Sequence, residues 1–320
     1  MFSEIRLTSG VLLVRWGYTH KIAPYRQPVL IYNPTAGRLR RNPERILQRT
    51  TEALAQASLR PQLEPTSGPG DATGLARKAV DAGADLILAL GGDGTINEVL
   101  NGMVHSQAAL GILPAGTANV LAMELGLGSR LDRAIPRLAS CVERRIAVGR
   151  LCSAQGSRHF LAMGGAGLDA KIVYDLNPSL KARAGKLAYW LGGFGHITQS
   201  VENFDVIVDG KAQRCGFALA SRVRNYGGDL EIARGASLLR PEFELVLFEG
   251  TNPLRYLLYM ATVGLKAVQR MPGVHTIHTP RVELKGGGHL QIDGEYAGRL
   301  PACFEIVPDA VTLLMPPAYG

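Results

Sequence analysis

The chain has 320 residues, enough for two domains of about 150 residues each, and its 46% hydrophobic and 19% charged content excludes a disordered chain or a charged fibre. Lys and Arg number 35 against 27 Asp and Glu, a formal net charge of +8, which biases the protein toward anionic partners: nucleic acid, phosphorylated ligands or an acidic membrane face. No run approaches the ~18 apolar residues needed to cross a bilayer, and Val11-Leu12-Leu13-Val14 before Arg15 is too short for a signal-peptide core.

The charge is uneven. Up to Arg60 there are ten basic residues against three acidic ones, so +7 of the excess gathers there. Four scattered cysteines (Cys141, Cys152, Cys215, Cys303) show no CxxC spacing and read as reduced thiols of a soluble, cytoplasmic protein.

In chain order, residues 1–27 form an N-terminal extension, and an apolar strand follows at Val29–Tyr32. Asn42-Pro43, an N-cap followed by proline at the first helical position, predicts a helix to about Ala57. A second helix is predicted over Asp71–Asp81. Asp85–Leu90 is a near-continuous apolar run, the pattern of a strand buried on both faces. Ile96, Val99, Leu100 and Met103 recur at helical spacing, Ala109–Leu113 is the next strand, and Thr117–Leu125 the next helix. This alternation predicts a doubly wound parallel sheet, an α/β domain over 28–145. Beyond about Arg145, strands are predicted at Ile146–Leu151, His159–Met163, Phe204–Val208, Cys215–Ser221, Phe243–Phe248, Val282–Leu284, His289–Ile292 and Cys303–Val307. Turn signals such as Asp209-Gly210 and Asp293-Gly294 separate them and favour an antiparallel β domain over 146–307, with 308–320 returning to complete the first domain. Helices are predicted at Leu180–Val201 and Leu254–Arg270.

The segment Gly91-Gly92-Asp93-Gly94-Thr95-Ile96-Asn97 lies between a buried strand and a helix start, where backbone N–H groups and the helix dipole make an anion site. It misses the dinucleotide fingerprint, since Asn97 stands at the third glycine, and no GxxxxGK[ST] loop occurs. Asn33-Pro34-Thr35-Ala36-Gly37 and Pro114-Ala115-Gly116-Thr117-Ala118-Asn119 end two other strands of the same sheet. Ligands of open α/β sheets bind at the carboxyl ends of strands, so the three loops form one convergent site. Late in the chain, Asp293-Gly294-Glu295 reads equally as a hairpin turn or as a carboxylate pair supplying a general base and a Mg²⁺-orienting group for phosphoryl transfer.

These motifs in this order resemble the diacylglycerol kinase catalytic family, which includes bacterial soluble lipid kinases and is related to sphingosine and ceramide kinases. Weaker echoes are Gly164–Ala170 and Asn225-Tyr226-Gly227-Gly228 with Ala233, and the resemblance spans about Pro28 to Pro316. It implies a nucleotide domain and a β-sandwich-like lipid domain with the active site in the cleft between them. It places ATP at Asn33, Pro34, Gly37, Thr66, Gly91, Gly92, Asp93, Gly94, Thr95, Asn97, Gly116 and Thr117. Catalysis falls to Glu295, Asp293 and Asp93, with Asp93 organising the catalytic Mg²⁺. Which of Asp293 and Glu295 takes the proton stays open, because both lie within one turn.

The sequence departs from the family pattern twice. Val120 stands where many members have Asp after the Gly-Thr-x-Asn loop. Leu239, Arg240 and Pro241 stand where bacterial relatives often carry Asp-Gly, part of a second, structural Mg²⁺ site, so that site is not expected.

His275-x-x-His278 lacks a third ligand nearby and reads as a loop pair. Tyr189-Trp190-Leu191 and Tyr256–Met260 read as core, with a lipid groove as the second reading. The Arg38–Arg49 basic stretch reads as a solvated helix face, with anionic headgroups as its second reading. The expected function is therefore an ATP- and Mg²⁺-dependent lipid kinase that phosphorylates a hydroxyl of a diacylglycerol-like or sphingoid lipid and contacts the inner membrane surface peripherally. Nucleic acid is not an expected partner, because no binding motif accompanies the basic residues, and no motif sets an oligomeric state. Two rivals remain: an NAD kinase, which shares the Gly-Gly-Asp-Gly loop but usually lacks the Gly-Thr-Ala-Asn loop and the late Asp-Gly-Glu, and a non-catalytic nucleotide or lipid sensor.

Overall fold

A computed structural model describes residues 25–175, 202–226, 230–250, 252–264 and 267–320. The first half alternates strand and helix: Pro28–Tyr32 (β1), Pro43–Gln56 (α1), Gln62–Pro65 (β2), Asp71–Asp81 (α2), Leu86–Gly91 (β3), Asp93–Met103 (α3), Ala109–Pro114 (β4), Val120–Glu124 (α4) and Leu131–Leu138 (α5). The strands β2-β1-β3-β4 run parallel. Every residue of β3 and β4 is buried, as strands covered by helices on both faces must be. Helix α1 starts where its sequence marks it, with Asn42 Oδ1 accepting the Arg45 N–H at 3.2 Å.

The second half contributes Val142–Ser153 (β5), Gly156–Phe160 (β6), Met163–Gly167 (β7), Leu168–Asp175 (α6), Phe204–Val208 (β8), Lys211–Cys215 (β9), Phe217–Ser221 (β10), Asn225–Tyr226 (β11), Leu230–Glu231 (β12), Phe243–Phe248 (β13), Pro253–Gly264 (α7), Val274–Thr279 (β14), Arg281–Gly286 (β15), His289–Ile292 (β16), Glu295–Arg299 (β17) and Ala302–Met315 (β18). Among the described residues they form an antiparallel sheet ordered β14-β13-β10-β7-β16-β17 and extend the first sheet to β2-β1-β3-β4-β18-β15-β8-β9, with β5 and β6 off that path. The two sheets enclose a core in which Phe160 stacks on Phe243 and meets Phe304 edge-on, with ring centroids 5.8 and 5.7 Å apart. The fold is thus a mixed α/β sheet domain with an antiparallel β-sandwich.

Several elements differ from expectation. The first sheet is not purely parallel. β18, 14 residues long, runs parallel to β4 at Thr312 and Leu313 and antiparallel to β5 along nearly its whole length, so one strand belongs to both halves. β2 was not anticipated because its sequence, QLEP, is a polar edge strand with little apolar pattern. The helix expected over Thr117–Leu125 begins only at Val120, since Asn119 is left-handed at φ 51°. α5 was also missed. The single strand expected over His159–Met163 is two, β6 and β7, with a break at Leu161-Ala162. The helix expected over Leu254–Arg270 is α7 followed by a short 3₁₀ turn at Val268–Arg270. His275 and His278 lie on β14 rather than in a loop; three positions apart, they point to opposite faces, and each meets an acid instead of the other, Glu249 and Glu242 respectively. The helix expected over Leu180–Val201, with Tyr189-Trp190-Leu191, lies outside the described residues, as do Gly227-Gly228 and residues 1–24.

Candidate active site

The carboxyl ends of β1, β2, β3 and β4 bring Asn33–Gly37, Thr66, Gly91–Thr95 and Gly116–Thr117 to one edge of the sheet. Asn33 Oδ1 accepts from the backbone N–H (2.9 Å) and hydroxyl (2.8 Å) of Thr35 and so closes its own turn. The neighbouring loop is tied on by Arg38 N–H to Ala115 O at 3.1 Å, and Thr66 by its N–H to Tyr32 O at 2.9 Å. The glycine loop and the β4 loop share Gly91 O, which accepts from the N–H groups of Ala115 (2.8 Å) and Gly116 (3.1 Å). Helix α3 starts at Asp93 with Gly92 as N-cap, a residue with no side chain to cap it, so its N-terminus faces the loops as an anion site would. Thr117 is exposed, whereas Thr95 is buried.

The sandwich answers this edge with a hairpin. Ile292 pairs with Glu295 across the two-residue turn Asp293-Gly294, whose φ values of 48° and 80° are those of the I′ turn that joins twisted strands. The motif is a tight turn, and it points two carboxylates toward the first domain. Asp293 Oδ2 accepts from Asn97 Nδ2 (2.9 Å) and Leu161 N (3.1 Å), and Oδ1 from Ala162 N and Met163 N (both 2.9 Å). The break between β6 and β7 supplies those three amides. Burial pushes the Asp293 carboxyl above the ordinary aspartate range, and the four donors work against it. Glu295 Oε2 lies 2.5 Å from Arg158 Nη2, while Oε1 rests on Gly94 in the first turn of α3, where a Cβ would collide with it.

Asn97 has its side chain turned to the hairpin. It is 1% exposed; its Nδ2 donates to Asp293 and to His159 O (2.9 Å), and its Oδ1 accepts from Arg158 Nη2 (3.0 Å). No part of that amide is left for a phosphate; it joins α3 to the hairpin. Asn101, one turn on, holds the same residue by both its backbone groups, its Oδ1 accepting the His159 N–H at 2.9 Å and its Nδ2 donating to His159 O at 3.0 Å. Sequence reasoning missed Asn101 and Arg158. A pair of asparagines four apart on one helix was the available signal for Asn101.

Asp93 Oδ1 accepts the Leu121 N–H at 3.3 Å, so the residue caps α4 from the start of α3. Burial raises its pKa against the pull of the Val120 and Leu121 amides. Among the described residues no group of three or more His, Cys, Asp or Glu could cage a metal. Because the Asp93 carboxylate is already engaged by backbone amides, Mg²⁺ at this edge would be held mainly by the phosphates it arrives with. The structural Mg²⁺ site does not fit. Leu238 O and Arg240 O, the carbonyls of that turn, accept from the guanidinium of Arg222 at 2.8 and 3.1 Å. Val120 is buried at the start of α4 and offers no polar group.

Comparison with known proteins agrees with this geometry. Residues 27–151 match the diacylglycerol kinase catalytic domain, and residues 162–315 match the YegS C-terminal NAD kinase beta sandwich-like domain. A diacylglycerol kinase of Bacillus subtilis (strain 168) is 31% identical over 300 residues, 90% of this chain and 95% of that protein. One of Staphylococcus epidermidis (strain ATCC 12228 / FDA PCI 1200) is 28% identical over 304 residues, 90% of this chain and 91% of its own length. A crystal structure of a diacylglycerol kinase from Bacillus anthracis str. Sterne superimposes with a TM-score of 0.75 at 21% identity, over 93% of this chain and 99% of that one, which speaks for the fold. This chain belongs to the diacylglycerol kinase catalytic-domain family, whose members are lipid kinases.

Proposed function

We propose that the protein transfers the γ-phosphoryl group of ATP to a hydroxyl of a diacylglycerol-like lipid, with Glu295 as the proton acceptor. The observation that carries this is the seat of Glu295: its carboxylate lies on the first turn of α3, beside the glycine loop, and is tethered by Arg158. Nucleotide phosphates would sit at the N-terminus of α3 and the loops at Asn33–Gly37 and Gly116–Thr117. A hydroxyl between them and the hairpin would then give its proton to Glu295 as its oxygen attacks phosphorus. Mg²⁺ would neutralise charge on the phosphates, with Asp93 as its nearest carboxylate.

Asp293 fits a positioning role. With three backbone amides and Asn97 donating to its two oxygens, its lone pairs are engaged, and taking a proton would displace a donor. Glu295 has an oxygen outside its ion pair. A lipid acceptor also places the reaction at a membrane surface; among the described residues no helix is long and apolar enough to cross one. The test is to incubate the protein with labelled ATP and, separately, dispersed diacylglycerol, ceramide, a total lipid extract and NAD. Label is expected in a phosphorylated diacylglycerol-like lipid. Label in NAD alone, or ATP binding with no product, would overturn the reading.

A further inference from the structure

Arg222, directly after β10, is fully buried, with 0% of its surface exposed, and no carboxylate is paired with it among the described residues. Its guanidinium instead donates to two backbone carbonyls of one turn, Nη2 to Leu238 O at 2.8 Å and Nη1 to Arg240 O at 3.1 Å. The same turn is held from its other side, where the Leu238 N–H donates to Tyr319 Oη at 3.2 Å and that hydroxyl donates to the buried Glu124 at 2.9 Å. Convergent carbonyls around a buried positive charge are what a hard divalent ion would demand, yet the residues after Leu238 are Leu239, Arg240 and Pro241, which bring no carboxylate. A metal ion beside the guanidinium would be repelled.

We propose that Arg222 is a built-in cation that holds the 237–240 turn as a bound divalent metal otherwise would, so that the folded protein needs no divalent ion there. The device also reaches toward the active site. The Arg222 N–H donates to Ala162 O at 2.8 Å, and the Ala162 N–H is one of the donors on Asp293, so the turn and the Asp293 cradle share one support. Burial presses the guanidinium down to about 10, which leaves it charged at neutral pH.

The test is thermal unfolding of the nucleotide-free protein in excess EDTA, in saturating Mg²⁺ and in saturating Ca²⁺. The midpoints are expected to coincide. A filled structural site would raise the midpoint by several degrees, on the order of 5 °C, and such a rise would overturn the proposal. Arg222→Lys, which keeps the charge but not the fork, is expected to fold with a midpoint several degrees lower. Arg222→Ala is expected to recover part of its loss in methylguanidinium and none in Mg²⁺; recovery in Mg²⁺ alone would count against an internal cation.

Discussion

Arg158 Nη2 bonds Glu295 Oε2 at 2.5 Å and Asn97 Oδ1 at 3.0 Å, so one guanidinium from β6 joins the hairpin carboxylate to helix α3. The Glu295 carboxylate is thereby fixed by groups on two elements, β6 and α3, rather than by its own hairpin. Glu295→Gln is expected to lower kcat roughly 100- to 10,000-fold, the usual worth of a positioned base, with the KM for ATP little changed. Arg158→Met should lower kcat by a smaller factor, because the base survives but loses its tether. Steady-state kinetics at varied ATP and fixed lipid check both; near-normal kcat in Glu295→Gln would remove it from the reaction.

Asp293→Asn puts an NH₂ group where donors already point. Whichever way the amide turns, two N–H groups face it, because Oδ1 receives Ala162 and Met163 while Oδ2 receives Leu161 and Asn97. Each buried donor left without an acceptor is worth about 1–3 kcal/mol. The variant should therefore lose at least that much in urea unfolding as well as turnover, whereas Glu295→Gln loses turnover alone. Equal stability of the two variants would contradict the cradle.

The gathering of the three loops at one sheet edge was legible because its signals are local: glycines between a buried run and a helical period, repeated after three strands of one sheet. The hairpin motif was legible as well, as a two-residue Asp-Gly turn between strands. What joins them was not. Asn97 read as part of the glycine loop, yet its partners, Asp293 and the peptide of His159, lie 196 and 62 residues away. Arg158 stands in a strand of mixed composition where nothing local marks it. The mixed first sheet escaped for a similar reason, since β18 pairs with β4 and β5 across 149 to 203 residues and no short-range pattern encodes that register.

Glu305 carries a pH dependence whose sign can be stated. Burial alone would raise its carboxyl, but the bond from Arg150 and the nearby Cys152 and Arg281 hold it below the ordinary glutamate range. A carboxyl lowered in the folded state stabilises above its unfolded pKa, and that stability is lost as pH falls through the folded value. The pair is partly exposed, with 41% of the Arg150 side chain and 19% of the Glu305 side chain accessible, so about 0.5–1 kcal/mol is at stake. Urea unfolding of wild type and Glu305→Gln should differ near pH 7 and converge toward pH 3; a constant difference would rule out the ion pair as its source.

Two glycines should separate nucleotide binding from catalysis. At Gly116 a Cβ would run into the Gly92 Cα, backbone against backbone, and come within 3.1 Å of Asn119 Oδ1. Neither neighbour can yield without opening the contact between the loops after β3 and β4, and Gly116→Ala should weaken ATP binding roughly tenfold or more, about 1.4 kcal/mol. At Gly94 the obstacle is Glu295 Oε1, the end of a side chain that can swing away. Gly94→Ala should accordingly fold and bind ATP, but with its carboxylate displaced from the first turn of α3 it should lose kcat in the direction of Glu295→Gln. Calorimetric ATP titration beside lipid kinase turnover resolves the pair. If Gly94→Ala lost nucleotide affinity while keeping kcat, the carboxylate over that turn would not be the one receiving the proton.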